Sequence, residues 1–236
     1  MIQKNRYFRH SKISEAKFRQ ILRYFAMDLT ATDCAELSAI SVRSVNSIHL
    51  RVRRRLAQHC EQVSLLQGEL QADESYFGPR RVRGLRGRGA GSKTVVFGLL
   101  KRGQSVYSEI VPNASKAVLQ AIIRGKADIA SVIHTDRWRG YDSLVDVGID
   151  KHLWGNHGCN EFARGSAHVN GIESFWSYAK RRLVQFNGVP RHTFYLHLKK
   201  TEYRFNHRHG NLYQALSSML RSTPLKSPLL LKTLNK

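Results

Sequence analysis

At Leu66 the hydrophobic period of this chain changes, from about 3.6 residues to about 2. Upstream, Phe18, Ile21, Leu22, Phe25 and Leu29 recur at i, i+3, i+4, i+7 and i+11 behind a capping Ser14, which predicts a helix with one apolar stripe. Thr30 or Thr32 opens a short second helix carrying Cys34, Ala35 and Leu37. Ser41 caps a third, with Val45, Ile48, Val52 and Leu56 inward. Downstream, Leu66, Gly68, Leu70 and Ala72 alternate with Gln67, Glu69, Gln71 and Asp73, the pattern of a strand ending near Tyr76-Phe77-Gly78-Pro79. An all-helical beginning therefore gives way to a sheet.

Two further strands are expected over 94–100 and 104–111, turning at Lys101-Arg102-Gly103. A helix follows over 115–124, a short buried strand over 131–135 that delivers Asp136 at its end, a helix over 140–147 and a strand over 148–154. Two helices over 168–186 and 192–207 come last, the second read as amphipathic and basic, and the chain after Pro224 is weakly patterned. Three antiparallel strands extended by strands reached through helices make an α/β, ribonuclease-H-like mixed sheet flanked by helices, preceded by an all-α domain. The expected divisions are 1–62, 63–212 and a C-terminal tail over 213–236.

Charge narrows the partner. The 39 Lys and Arg against 17 Asp and Glu leave a net charge of +22 in a chain otherwise globular in composition. A polyanion suits that balance, because every phosphate neutralised releases condensed counterions. An incidentally basic protein is the competing reading. Cys34, Cys60 and Cys159 form no disulfide framework and no Cys-x-x-Cys zinc pair, and His157-Gly158-Cys159 has no second pair to complete it. Neither a signal peptide nor a membrane span is expected, so the reading is of a cytoplasmic protein.

The third helix exposes Arg43, Arg51, Arg53, Arg54 and Arg55, nearly all one sign. A short helix, a tight link and a basic helix match a helix-turn-helix that meets DNA; a helical hairpin with a solvated face is the alternative. Arg80, Arg81, Arg83, Arg86 and Arg88 lie in a Gly/Arg-rich stretch. It reads as a cationic arm on nucleic-acid backbone or as a solvated loop, and Ser92 before Lys93 breaks the phosphate-loop pattern.

Asp73, Asp136 and Glu173 are the candidate catalytic acids. Asp73 is expected at the end of the first strand, opposite Leu70 and Ala72; Asp136 closes a short apolar strand. Glu173 lies on a helix whose inward stripe is Ile172, Phe175, Trp176, Ala179 and Leu183, sharing its own face with Asn170, Ser177 and Lys180. A few carboxylates on separate elements suffice for Mg²⁺, which wants oxygen ligands, and two such ions can serve in-line displacement at phosphorus. Singly, each acid reads as well as a turn former, a helix cap or a surface charge. His134 and His168 flank these blocks, and Trp138 and Trp176 are candidates for stacking on a flipped base or for core packing.

Asp73-Glu74-Ser75-Tyr76-Phe77-Gly78 and His134-Thr135-Asp136-Arg137-Trp138-Arg139-Gly140-Tyr141 resemble bacterial insertion-sequence DDE transposases. Their third block, His-x-Asn-x-Ile-Glu-x-x-Trp-x-x-x-Lys-Arg, is matched from His168 through Asn170, Ile172, Glu173 and Trp176 to Lys180-Arg181. Glu202-Tyr203-Arg204-Phe205-Asn206-His207-Arg208 fits a later block. The resemblance covers roughly residues 66–210. It implies a ribonuclease-H-like fold with Asp73, Asp136 and Glu173 holding two Mg²⁺ or Mn²⁺ ions. It also implies DNA partners, the element's terminal inverted repeats and target DNA, with Lys180 and Arg181 among the contacts. At least a dimer is implied in the active complex. The zinc ribbon of other members is absent from this chain. The alternatives are a DNA-binding protein that has lost catalysis and a metal-dependent nuclease that never joins ends.

Overall fold

The computed structural model describes residues 5–62, 65–78, 93–103, 105–136, 151–155, 170–186 and 188–226. They fall into two compact units, Met1–His59 with His207–Lys236, and Cys60–Asn206.

In the first unit α1 (Glu15–Ala26), α2 (Ala31–Ser38) and α3 (Val42–Glu61, its last two residues in the second unit) follow the expected stripes. Ser14 caps α1 by accepting from the Lys17 amide. Thr30 rather than Thr32 opens α2, in a capping box with Asp33 that satisfies two orphan donors. Ala39 closes α2 in the left-handed region at φ 52°, and only Ala39, Ile40 and Ser41 separate α2 from α3. Ser41 Oγ accepts from the Ser44 amide at 3.3 Å. Phe18, Ile21, Leu22, Phe25, Val45, Ile48, Val52 and Leu56 are each at most 2% exposed. Leu37, by contrast, is exposed, and Leu29 is half-buried.

The stretch read as a tail supplies α7 (Leu212–Ser222) and β7 (Leu225–Lys226) to this same unit. β7 pairs in parallel with β1 (Phe8–Arg9), and Arg19 donates to the Tyr213 hydroxyl at 3.1 Å. Leu216, Met219 and Leu220 are the buried stripe of α7. Three positions are too few to signal a helix when the partner lies nearly two hundred residues away (|i−j| of 194 for Arg19–Tyr213).

The second unit holds β2 (Glu69–Phe77), β3 (Thr94–Lys101), β4 (Val106–Val111), α4 (Lys116–Lys126), β5 (Val132–Asp136), β6 (Lys151–Gly155), α5 (Asn170–Val184) and α6 (Arg191–Asn206). The strand order is β4-β3-β2-β5-β6. β2, β3 and β4 pair antiparallel, whereas β2–β5 and β5–β6 are parallel. The chain is thus a mixed α/β protein with a mixed sheet. β2 begins at Glu69, later than its alternation suggested, because Gly68 takes φ 93° and leaves Leu66 as an isolated bridge to Ala127. The helix expected over 140–147 lies outside the described residues.

Each face of the sheet has its own core. Leu70, Ala72, Phe97, Leu99 and Ile133 pack with Leu119 and Ile123 of α4. Val96, Leu100 and Val106 pack on the other side with Ile172, Phe175 and Trp176 of α5 and Phe194 and Leu198 of α6. α6 departs from its expected basic, amphipathic character. Lys199, Lys200, Thr201 and Glu202 are all at most 1% exposed. Lys199 Nζ lies 2.8 Å from Glu61, 3.1 Å from Glu202 and 2.8 Å from the Ser108 carbonyl, so its charge is met inside the fold.

Candidate functional site

Asp73 occupies the fifth of the nine positions of β2, not its end, because pairing with β3 continues to Phe77↔Thr94. It lies on the α5 side, opposite Leu70 and Ala72. Its Oδ1 accepts from the Glu74 amide at 2.8 Å and its Oδ2 from the Trp176 indole at 2.9 Å. Directly across on β3 stands Gly98. A Cβ there would sit 2.6 Å from Trp176 Cζ2, so the missing side chain is what lets the indole lie against the sheet and reach Asp73.

Gln71, two positions earlier, grips the same helix. Its Oε1 accepts from the Ile172 amide at 2.9 Å, meeting one of the orphan donors at the start of α5. A Cβ at Gly171 would lie 2.7 Å from that oxygen. Two strand residues advance about 6.8 Å and four helical residues about 6 Å, so contacts from Gln71 and Asp73 to Ile172 and Trp176 run the helix along β2. Glu173 follows Ile172 in the first turn of α5. It is exposed and has no ion-pair partner among the described residues. The inward stripe of Ile172, Phe175, Trp176 and Ala179 is buried as expected.

Asp136 is the last residue of β5. β5 pairs with β2 through Glu69↔Val132, Leu70↔Ile133 and Gln71↔His134. The ladder to β2 ends at Gln71↔His134, and β5 runs two residues beyond it to Asp136. Only the backbone of Asp136 is described. His134 is buried, and neither ring nitrogen has a hydrogen-bond partner among the described residues. Burial, helped by the Arg102 charge, pushes its pKa down against the opposing pull of Glu69, which favours neutral imidazole.

The cationic candidates divide. Lys180 and Arg181 are exposed on α5, with Lys180 Nζ 5.9 Å from the Phe77 ring centroid. On α3, Arg43 and Arg54 are exposed, as are Asn46 and Ser47. Arg51, Arg53 and Arg55 are half-buried instead of outward. Arg51 donates to the Lys226 carbonyl at 3.0 Å and lies over Phe8, and Arg53 lies over Phe25, because long apolar stems favour aromatic surface. Arg80, Arg81, Arg83, Arg86 and Arg88 lie outside the described residues, as do Trp138, His157, Cys159 and His168. Trp176 is core, 5% exposed, and presents no stacking face.

Gln71 and Gly98 were not singled out in the sequence. Gly98 interrupts an apolar run, Val95-Val96-Phe97-Gly98-Leu99-Leu100, which is the signal of a close approach to the sheet. The block around Glu202 is structural. Glu202 accepts from the Ser108 amide and hydroxyl, and Asn206 bonds both the amide and the carbonyl of Val106, fastening α6 to the edge strand β4.

By fold and site, this is a mixed-sheet α/β domain with acids carried on β2, β5 and α5. Residues 65–206, more than half of the chain, match the ISXO2-like transposase domain, and the chain belongs to that family. An uncharacterised transposase-like protein of Haemophilus influenzae is 45% identical over 101 residues, 43% of this chain and 80% of that protein. An uncharacterised protein in transposable element ISH50 of Halobacterium salinarum is 28% identical over 201 residues, 78% and 67% of the two chains. The solved Mos1 transposase paired-end complex with left transposon end overlaps at a TM-score of 0.30 and 14% identity, covering 89% of this chain and 79% of that one. At that score the fold rests on the strand order itself. Among the described residues no helix is long and apolar enough to cross a membrane.

Proposed function

We propose that the chain is a DDE-type DNA transposase that binds the ends of its insertion sequence, cleaves them and joins the freed 3′-hydroxyls to target DNA. One observation carries the reading: Gln71 and Asp73 hold α5 by Ile172 and Trp176, so the helix bearing Glu173 lies along the strand bearing Asp73. β5, which pairs beside β2, ends in Asp136, which supports the same reading. Three antiparallel strands followed by two parallel ones support a ribonuclease-H-like sheet.

The donor set is carboxylate oxygen, which suits a hard cation, and Asp73, Asp136 and Glu173 would hold two Mg²⁺ or Mn²⁺ ions. Such ions, when bound, activate an attacking oxygen and stabilise a leaving one. The chain's own residues hold the geometry. The Trp176 indole and the Glu74 amide orient the Asp73 carboxylate, and Gln71 fixes the start of the helix that bears Glu173. Lys180 and Arg181 follow Glu173 by seven and eight residues, about 10–12 Å along the helix, and contact DNA phosphates beside the reacting one. Cleavage is in-line attack of a water oxygen on phosphorus, leaving a 3′-hydroxyl on the element end. Joining repeats the substitution with that hydroxyl as nucleophile and a target phosphate as electrophile.

α2, its three-residue turn and α3 act as a helix-turn-helix, with Arg43, Asn46 and Ser47 toward the bases and Arg54 toward phosphate. Two ends joined together call for at least a dimer. Incubation with the flanking element ends, Mg²⁺ and a plasmid target tests the reading. Asp136→Asn abolishes joined product; undiminished joining by that variant sinks the catalytic assignment.

A further inference from the structure

In α3 one apolar side chain stands on the wrong side of the helix. Val45, Ile48, Val52 and Leu56 make the inward stripe, each at most 2% exposed. Val42, the first residue of the helix, is 42% exposed and is the only exposed one among the apolar residues of α3. An apolar side chain stabilises a fold by being buried, and a β-branched residue does little for a helix start. Neither the core nor helix propensity accounts for Val42. Its neighbours on the surface are polar, because Arg43, Asn46 and Ser47 are all exposed. Val42 and Asn46 are four positions apart, as are Arg43 and Ser47, so the four form one patch over about the first turn and a half of α3. Ser41 Oγ accepts from the Ser44 amide at 3.3 Å and fixes where that patch begins. No acid stands in the first turn, which leaves the positive end of the helix dipole suited to a polyanion.

Base edges in the major groove of DNA present donors, acceptors and one apolar group, the 5-methyl of thymine. The first residues of the second helix of a helix-turn-helix are the ones that meet those edges. Arginine pairs bidentately with guanine and asparagine with adenine. Valine has no side-chain donor or acceptor, so at a base edge it answers only the methyl. A phosphate has no use for it.

Resting on the helix-turn-helix reading above, we propose that Val42 is a specificity-determining residue that packs on the 5-methyl of a thymine in the element's end, beside base pairs met by Arg43 and Asn46. Fluorescence anisotropy of the full chain tests this on a labelled duplex of the flanking element end. Each thymine is replaced in turn by deoxyuridine, which removes the methyl and nothing else. At one thymine the replacement weakens wild-type binding about fourfold, the worth of one buried methyl. Val42→Ala weakens binding of the unmodified duplex by a similar factor and binds the uracil duplex no worse, because both changes remove the same contact. Its melting curve and its binding to a duplex of unrelated sequence stay as in wild type, and Val42→Ile keeps the preference for thymine. Additive losses, a scan with no sensitive thymine, or an equal loss on the unrelated duplex overturn the proposal. Arg43→Ala tells the two readings apart. If it loses preference for the element end while the uracil scan is flat, the methyl contact alone falls. If it keeps that preference and the scan is flat, the helix-turn-helix reading falls as well. Binding needs no cleavage, so either outcome leaves the Asp136→Asn test untouched.

Discussion

Two helices on the same face of one sheet each bring a carboxylate to it, and their fates are opposite. The cross-strand row Asp73–Gly98–Ser108 joins them. At one end α6 presents Glu202, which is 1% exposed, takes two hydrogen bonds from Ser108 and faces Lys199 at 3.1 Å. At the other end α5 presents Glu173, exposed and with no ion-pair partner among the described residues. Between them the Trp176 indole covers Gly98 and bonds Asp73. An acid whose charge is met by the fold serves stability. On the function proposed above, the acid that the fold leaves exposed is the one held for metal and DNA.

The largest expected effect tests that division directly. Glu173→Gln lowers strand transfer roughly a thousandfold, about 4 kcal/mol of barrier, while the melting curve shifts by no more than about 0.5 kcal/mol. A folded variant with full activity breaks the comparison. Lys199→Met reverses the pattern. Removing one partner of a buried ion pair costs about 3–5 kcal/mol, read by urea denaturation, with the refolded fraction retaining activity per molecule.

The same lysine carries a pH signature. Burial alone lowers its pKa, but Glu202 and Glu61 outweigh it, so the folded value lies above the ordinary 10.5. Its contribution is therefore complete below about 10.5 and is lost as pH rises through the folded pKa. The stability difference between wild type and Lys199→Met narrows over that alkaline limb, and a constant difference contradicts the assignment. The smallest effect sharpens the middle of the row. Gly98→Ala forces the indole off the sheet, costing about 1–3 kcal/mol in denaturant titration and loosening Asp73, so that activity falls more than stability explains.

Much of this was legible in the chain. The stripe of Phe18, Ile21, Leu22 and Phe25, the Ser14 cap and the alternation through Leu70 and Ala72 are local patterns, set by residues a turn or a pleat apart. Asp73, Asp136 and Glu173 stand out as candidates because each lies beside such a pattern. What escaped was non-local. Leu216, Met219 and Leu220 make a helix only against a partner from the start of the chain. Arg51 and Arg53 read as a solvated face until Phe8 and Phe25 come beneath them. Glu202, Lys199 and Ser108 are unremarkable separately and explain one another only when the strand and helix meet.

The sequence by itself determined α1 to α6, β2 to β6 and the change from helix to mixed sheet, because periodicity and capping are properties of neighbouring residues. Tertiary structure alone decided that Glu202 is answered by Lys199 and Ser108, that Glu173 is left exposed, and that Gly98 makes room for Trp176. Those outcomes depend on register between strands and on a helix seated by Gln71, contacts between residues about a hundred positions apart (|i−j| of 101 for Gln71–Ile172).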